Sequence, residues 1–426
     1  MNLTTEEVYE LFLQCTSVTT DSRNCPAGSL FFALKGTSFN GNAFASNALA
    51  AGSKFAIVDE PQYANGKNIF LVDNCLQMLQ AVARLHRQTL KTTVIGITGT
   101  NGKTTTKELV AAVLQKKYNL LYTQGNLNNQ IGVPLTLLRM NKGHELAVVE
   151  MGASHPGDIK ELVDIALPDY GLITNVGHAH ILGFGSFEGV VKTKGELYDF
   201  IRAKGGKIFR NADNSILASI SEGLDAVLYG VSESNYVHAR SLGASPFLKV
   251  EWNGTVIQTH LIGDYNFENV MAAIAVGSFF GVPSDAIISA LEDYLPSNNR
   301  SQFKDTGKNH LIIDAYNANP TSMQAALNNF AAMDVKDKML ILGDMKELGP
   351  DSEMEHKKVV DWIKHHDFHL VCLVGGCFDA AAKGSFNCFP DVDALNVWLQ
   401  QHPVSGANIL VKGSNSTKLI KVVDFL

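Results

Sequence analysis

The stretch Thr92–Thr106, TTVIGITGTNGKTTT, restricts the architecture of this chain more than any other. A β-branched, apolar run leads into glycine-spaced polar residues. A helical pattern follows, with Leu109, Val110, Val113 and Leu114 on one face. Strand, glycine loop and helix in that order make a phosphate cradle. The glycines let backbone N–H groups turn towards phosphate oxygens, and the helix N-terminus adds positive potential. Lys103 is placed to neutralise the β- and γ-phosphates of ATP, and the Thr104 hydroxyl to bind Mg²⁺. Gly99, Thr100, Asn101, Gly102 and Thr105 complete the nucleotide-facing set. The strict GxxxxGK[ST] spacing is not met, because position 97 is Ile and the first loop glycine is Gly99. The alternative, a glycine-rich turn with a chance GKT, does not account for the strand before it and the helix after it.

A chain of 426 residues is too long for one hydrophobic core, so two or three domains are expected. Residues 1–90 mix short strands (Leu30–Leu34, Phe55–Val58, Ile69–Val72) with helices, one of them Cys75–Gln88. Residues 91–302 alternate apolar strands (Thr93–Thr98, Glu145–Glu150, Gly171–Asn175, Lys207–Asn211) with amphipathic helices, the pattern of parallel βαβ units. Residues 303–426 open a second such series, with strands at Leu311–Asp314, Met339–Leu342, Leu370–Val374 and Asn408–Val411. The fold class expected is α/β in three domains.

Two further features of the middle segment carry chemistry. Glu150 ends the strand ELAVVE, and the carboxyl ends of parallel strands converge on a ligand crevice where a carboxylate can hold Mg²⁺. Downstream, ITNV opens into His178 and His180, two residues apart, which read either as loop structure or as metal ligands. Lys194 follows on a helix. A lone helical lysine is ordinarily solvated, although CO₂ can convert the amine to a carbamate that ligates metal as a carboxylate does.

The overall charge gives no help in attracting an anionic ligand: 35 basic against 42 acidic side chains leave −7. That balance provides no footprint for nucleic acid or an anionic membrane, so loops and metal ions must gather phosphates locally. The six cysteines form no CxxC pair or zinc spacing, which fits a reduced, cytoplasmic setting. The longest apolar stretch, Val270–Val282, is shorter than a bilayer span and reads as a buried helix. The opening MNLTTEEVYELFLQC reads as a capped amphipathic helix, with Thr4 and Glu7 as a capping box.

Several blocks then coincide in order along the chain: DSR at Asp21–Arg23 with GSLFFALKG, TGTNGKTT, GNLNNQIGVPLTLL from Gly125, and TNVGHAHILGFGSFEGVVKTKGE from Thr174. GDYNFENVMAA, NNRSQ around Arg300, IDAYNANPTSM, LGDMKELG and LVKGSNS complete the set. With these blocks the chain resembles the Mur ligases. NLNNQIGVP, DAYNANP and GDMKELG point to the branch that adds D-alanyl-D-alanine to UDP-N-acetylmuramoyl-tripeptide, the last cytoplasmic step towards the peptidoglycan pentapeptide precursor.

The resemblance implies an N-terminal α/β domain binding the UDP part, a central P-loop ATP domain with a parallel sheet, and a C-terminal Rossmann-like ligase domain. It implies ATP and one or two Mg²⁺ ions as cofactors, small-molecule substrates only, and a monomer. Glu150 and His180 become the metal-linked pair with Thr104, and Lys194 the carbamylated lysine. Lys103, Glu150, His180, Lys194 and Arg300 form the catalytic group. Asn266, Asn269, Arg300 and Asp314 become nucleotide contacts, Asp21, Ser22 and Arg23 part of the uridine site, and Asn317 and Asn319 part of the dipeptide site. Two departures stand out: Asn42 after Gly41 where the family often has DGH, and Asn415 after KGS where it often has Arg.

The chemistry explains the residue types. A carboxylate resists attack by an amine until its oxygen is made a leaving group, and transfer of the γ-phosphoryl gives an acyl phosphate with phosphate as that group. Two anions must meet in that transfer, which calls for cationic clamps. No single residue stands out as the base for the amine. A folylpolyglutamate synthetase would share the loop but lack the DSR-type domain, and a nucleotide switch would need an NKxD-type motif, absent here.

Overall fold

The computed structural model describes residues 2–177, 181–297 and 299–426. The first sheet is parallel in the order β1 (Val18–Thr19), β2 (Leu30–Phe32), β3 (Phe55–Val58), β4 (Ile69–Leu71). β2 is buried along its whole length, as expected of a strand covered on both faces. The expected capping box is present on the helix Thr5–Leu13, with Thr4 and Glu7 satisfying each other's backbone N–H groups. Asn42, the departure from DGH, is buried and structural. Its Nδ2 donates to Asp59 and Asn40, and its Oδ1 accepts the Asp59 N–H at 2.8 Å.

The helix Cys75–Thr89 carries the chain to the second sheet and fastens the two together. Buried Arg87 donates to the Ala166, Leu167 and Leu90 carbonyls at 3.2–3.3 Å and to Asp169 at 2.8 Å. His86 adds a 2.8 Å hydrogen bond to the Met140 carbonyl.

The second sheet comprises β5 (Thr93–Thr98), β6 (Leu120–Tyr122), β7 (Leu146–Glu150), β8 (Tyr170–Ile173), β9 (Lys207–Asn211), β10 (Asp225–Gly230) and β11 (Val237–His238). Their order, β11-β10-β9-β8-β5-β7-β6, is parallel throughout. The helix Lys103–Leu114 buries the expected Leu109, Val110, Val113 and Leu114 against the sheet and the helix Phe267–Phe279. Each such side chain contributes about 1.5–3 kcal/mol by leaving water. The apolar stretch is the buried helix expected, with Val270–Gly277 wholly inside. Gly277 permits its close approach, since a Cβ there would lie 2.3 Å from the Val113 side chain. Among the described residues no helix is long and apolar enough to cross a membrane.

An antiparallel sheet of β12 (Arg240–Ala244), β13 (Phe247–Trp252) and β14 (Thr255–Ile262) follows, which the sequence reading did not anticipate. Its sequence signal is the alternation in FLKVEW and the turn Asn253–Gly254, both at positive φ, 49° and 73°.

The last sheet runs β15 (Gln302–Asp305), β16 (His310–Asp314), β20 (Asn408–Lys412), β17 (Lys338–Gly343), β18 (Leu370–Val374), β19 (Asn387–Phe389). It is parallel except for β15 and carries one apolar core on each face, as a Rossmann-like layer does. The chain is therefore three α/β units.

Candidate active site

A cavity of about 850 Å³ lies between the second sheet and the last. The phosphate loop enters it at the carboxyl end of β5. Gly99 is at φ +144° and Gly102 at +77°, and a Cβ on Gly99 would lie 2.0 Å from the Thr174 hydroxyl oxygen. Only glycine fits such a position. The segment after β8 pins the loop: Gly177 N–H donates to Thr100 Oγ1 at 2.9 Å, and Thr174 Oγ1 donates to the Asn101 carbonyl at 2.6 Å. Thr100, Asn101, Gly102, Lys103 and Thr105 line the cavity, with Gly99 and Thr104 behind them.

Lys103 opens the helix and donates its ammonium to the Gly99 and Thr100 carbonyls at 2.8 and 2.9 Å. Burial pushes its pKa down to about 8, with Glu150 opposing and Arg300 adding to the shift. Below that value Lys103 is a cation able to take a phosphate, and above it a neutral amine. The kcat/KM for ATP should therefore fall as pH rises through about 8. A profile that stays flat from neutral to strongly alkaline pH, under subsaturating ATP, would count against a role for this ammonium.

Glu150 lies directly beside the loop, since β7 pairs with β5 and sets Glu150 opposite Ile97. Its Oε1 accepts from Thr104 Oγ1 at 3.1 Å and from Asn128 Nδ2 at 2.8 Å. Its Oε2 is buried with no hydrogen-bond partner among the described residues. An orphaned carboxylate oxygen beside a hydroxyl is a hard oxygen donor set, and it fits Mg²⁺. His178 and His180 lie outside the described residues.

Lys194, on the helix Phe187–Lys204, is buried 5.5 Å from the Phe184 ring centre and sits behind the cavity wall. Burial pushes its pKa well below the ordinary lysine range, with Lys103 adding to the shift and Asp158 and Glu196 opposing it. A neutral buried amine is the form that reacts with CO₂, so this residue fits a carbamate.

Arg300 also lines the cavity, its guanidinium 3.9 Å above the Tyr316 ring and its Nε buried without a partner among the described residues. The residues on either side, Asn299 and Ser301, are non-glycines at φ +53° and +48°. Each costs on the order of 1 kcal/mol, and such strain gathers where a side chain must be aimed. Ser301 is held by a 2.8 Å hydrogen bond to Tyr265 OH.

Asn266 and Asn269 line the cavity but are also spoken for: Asn269 accepts from Thr106 and donates to Asn266, which donates to the Ile262 carbonyl. Asp314 pairs with buried Lys412 from the adjacent strand. Asn317 and Asn319 line the same cavity. Asp21, Ser22 and Arg23 are not brought there: they occupy the loop after β1, where Arg23 is 88% exposed and pairs with Asp21.

Asn128, Thr123, Asp158, Tyr316 and Lys412 belong to the site or its support without having been singled out. Thr123 Oγ1 accepts the Glu150 N–H at 3.0 Å. Asn128 and Lys412 stand in the blocks GNLNNQIGVP and LVKGSNS, which offered position but no role. Elsewhere Asp344, His356 and Cys377 cluster closely enough for a metal. Their groups are already used: both His356 nitrogens bond backbone, to Ser352 O and Met345 N–H, and Asp344 accepts the Cys377 and Phe378 N–H groups.

Comparison with known proteins bears on this arrangement. Three family models match along the chain: the Mur ligase family catalytic domain at residues 14–87, the Mur ligase middle domain at 97–277, and the Mur ligase glutamate ligase domain at 299–415. The chain belongs to the Mur ligase family. A UDP-N-acetylmuramoyl-tripeptide–D-alanyl-D-alanine ligase of Bacillus subtilis (strain 168) is 34% identical, over 95% of this chain and 92% of that relative. One of Escherichia coli (strain K12) is 35% identical, over 96% and 92%. Among solved structures, MurF from Acinetobacter baumannii superposes with a TM-score of 0.86 at 28% identity, covering 100% of this chain and 98% of that one. The MurF ligase from Thermotoga maritima in complex with ADP does so at 0.84 and 26%, covering 97% of each. This Mur ligase thus shares its three-domain architecture with a relative solved in complex with ADP.

Proposed function

We propose that this Mur ligase spends ATP to join D-alanyl-D-alanine to UDP-N-acetylmuramoyl-tripeptide, completing the UDP-muramoyl-pentapeptide of peptidoglycan synthesis. The observation that carries the reading is the meeting of Lys103, Glu150 and Arg300 on one cleft between two α/β units. Ligases of that name, similar over nearly the whole chain, support the choice of substrates. The domain roles follow as residues 1–90 for the UDP substrate, 91–302 for ATP and 303–426 for the acceptor side. The six unpaired cysteines support a cytoplasmic setting, and we take the enzyme to act there as a monomer.

Lys103 and Arg300 bring positive charge to the same volume, where the substrate carboxylate and the γ-phosphoryl group must approach. Charge that spreads over the transferred phosphoryl is met by cations already in place, so little reorganisation is needed. Tyr316 holds the face of Arg300 and leaves its N–H edge free to point at phosphate. Glu150, Thr104 and a carbamate on Lys194, with His180, would hold Mg²⁺. When bound, the metal supplies neutralisation of phosphate charge. The acyl phosphate then meets the dipeptide amine, and walls from both domains keep water from it. Asn317 is the cavity-lining residue we assign to the dipeptide side.

The test is phosphate release and amide formation by the purified protein. Both should require ATP, the nucleotide-linked tripeptide and D-alanyl-D-alanine together. Release that ignores the acceptor, or amide formation only with glutamate, would overturn this reading.

A further inference from the structure

Asn319 does two jobs at the seam between the central and C-terminal domains. It is the N-cap of the helix Pro320–Ala332: its Oδ1 accepts the Ser322 N–H at 2.8 Å, and its own N–H donates to Ser322 Oγ at 3.1 Å. Its amide Nδ2 remains, and donates to Asn101 Oδ1 at 2.8 Å, across 218 residues of sequence. Asn101 is the tip of the phosphate loop. Its N–H donates to Asn175 Oδ1 at 2.9 Å, and its carbonyl accepts from Thr174 Oγ1 at 2.6 Å and Asn175 Nδ2 at 3.2 Å. The loop tip is therefore held on one side by its own domain and on the other by the cap of a helix in the next.

Capping alone does not require asparagine, because Ser, Thr and Asp serve as well. What asparagine adds is a donor left over once its oxygen is engaged. The capping bonds already fix that side chain, so aiming the donor costs little further entropy. Asn319 is 7% exposed, and a hydrogen bond in such a setting is stronger than one in water.

We propose that Asn319 is a positioning residue for the phosphate loop, acting through Asn101, so that tight nucleotide binding depends on the C-terminal domain being docked. The proposal rests on the loop binding ATP, as above, and adds a residue of the C-terminal domain to the loop's support.

A double-mutant cycle tests it. Asn319→Ser keeps the cap and loses the reach to Asn101, while Asn101→Ala removes the acceptor. Affinity for a non-hydrolysable ATP analogue with Mg²⁺ is read by direct titration, and ATP KM and kcat by turnover. Each single variant should bind the analogue about 5–10-fold more weakly, the worth of one well-placed hydrogen bond. The double variant should bind no more weakly than the worse single one. KM for ATP should rise by more than kcat falls, and the melting temperature of Asn319→Ser should stay near that of the wild type. Should serine destabilise the helix, Asn319→Thr repeats the comparison with another capping residue. Losses that multiply in the double variant, or wild-type affinity in Asn319→Ser, overturn the proposal. Because binding is read without amide formation, a wild-type protein that fails to form amide would sink the substrate assignment while leaving this cycle decisive.

Discussion

Lys103→Ala abolishes amide formation, lowering turnover by on the order of 10³-fold, while the protein melts as the wild type does. The size of the loss follows from position. Lys103 is the first residue of the helix behind the loop and lines the same cavity as Arg300. Its charge is needed when two anions are forced together, so its removal raises the barrier more than it weakens binding. The fold survives because alanine suits that helical position at least as well as lysine, and removing a buried ammonium also removes its desolvation cost. Initial rates at saturating substrates, alongside a thermal melt, check both halves. A variant within tenfold of wild type would remove Lys103 from the phosphate site. Arginine is not an equivalent substitute, because a planar fork cannot place a point charge on the same two carbonyls.

Lys194→Ala should cost activity to a similar degree, for a different reason. A lysine this buried, its pKa pushed far down by desolvation with Lys103 adding to the shift, gains nothing as an ammonium. Carbamylation would turn it into a carboxylate within electrostatic reach of Lys103. Small carboxylic acids such as formate or acetate should therefore restore part of the activity of Lys194→Ala, since they can occupy the volume the side chain leaves. A second readout is independent of turnover: labelled bicarbonate should give a carbamate carbonyl resonance in the wild type that is missing in the variant. Full activity in Lys194→Ala, or a wild type without that resonance, excludes the carbamate.

Much of this could be read from the sequence because the informative residues are local. The β5 strand, the loop and its helix lie within about twenty consecutive residues, and backbone geometry sets Lys103 on the cavity wall with Thr104 just behind it. Glu150 was legible for a related reason, as the last residue of an apolar strand whose carboxyl end had to face a ligand. The partnerships were not. Asp314 with Lys412, Arg300 over Tyr316 and Glu150 with Asn128 depend on strand order and on the angle between units, which no periodicity encodes. The intervening β6 was passed over because three residues carry no periodic signal. The β12–β14 sheet was a different omission, since its alternation and Asn–Gly turn were there to be read. Asn319, expected beside the dipeptide, lines the cavity, and the engagement of its amide with the helix cap and with Asn101 could not be read from the sequence.

The buried guanidinium of Arg87 has a consequence for how the enzyme can breathe. It ties the Cys75–Thr89 helix to the carbonyls that end the Asp158–Ala166 helix and to Asp169, so parting the first two units would strand a buried cation among broken hydrogen bonds. A hinge at the far junction would start from Asn299 and Ser301, which already sit in costly backbone conformations.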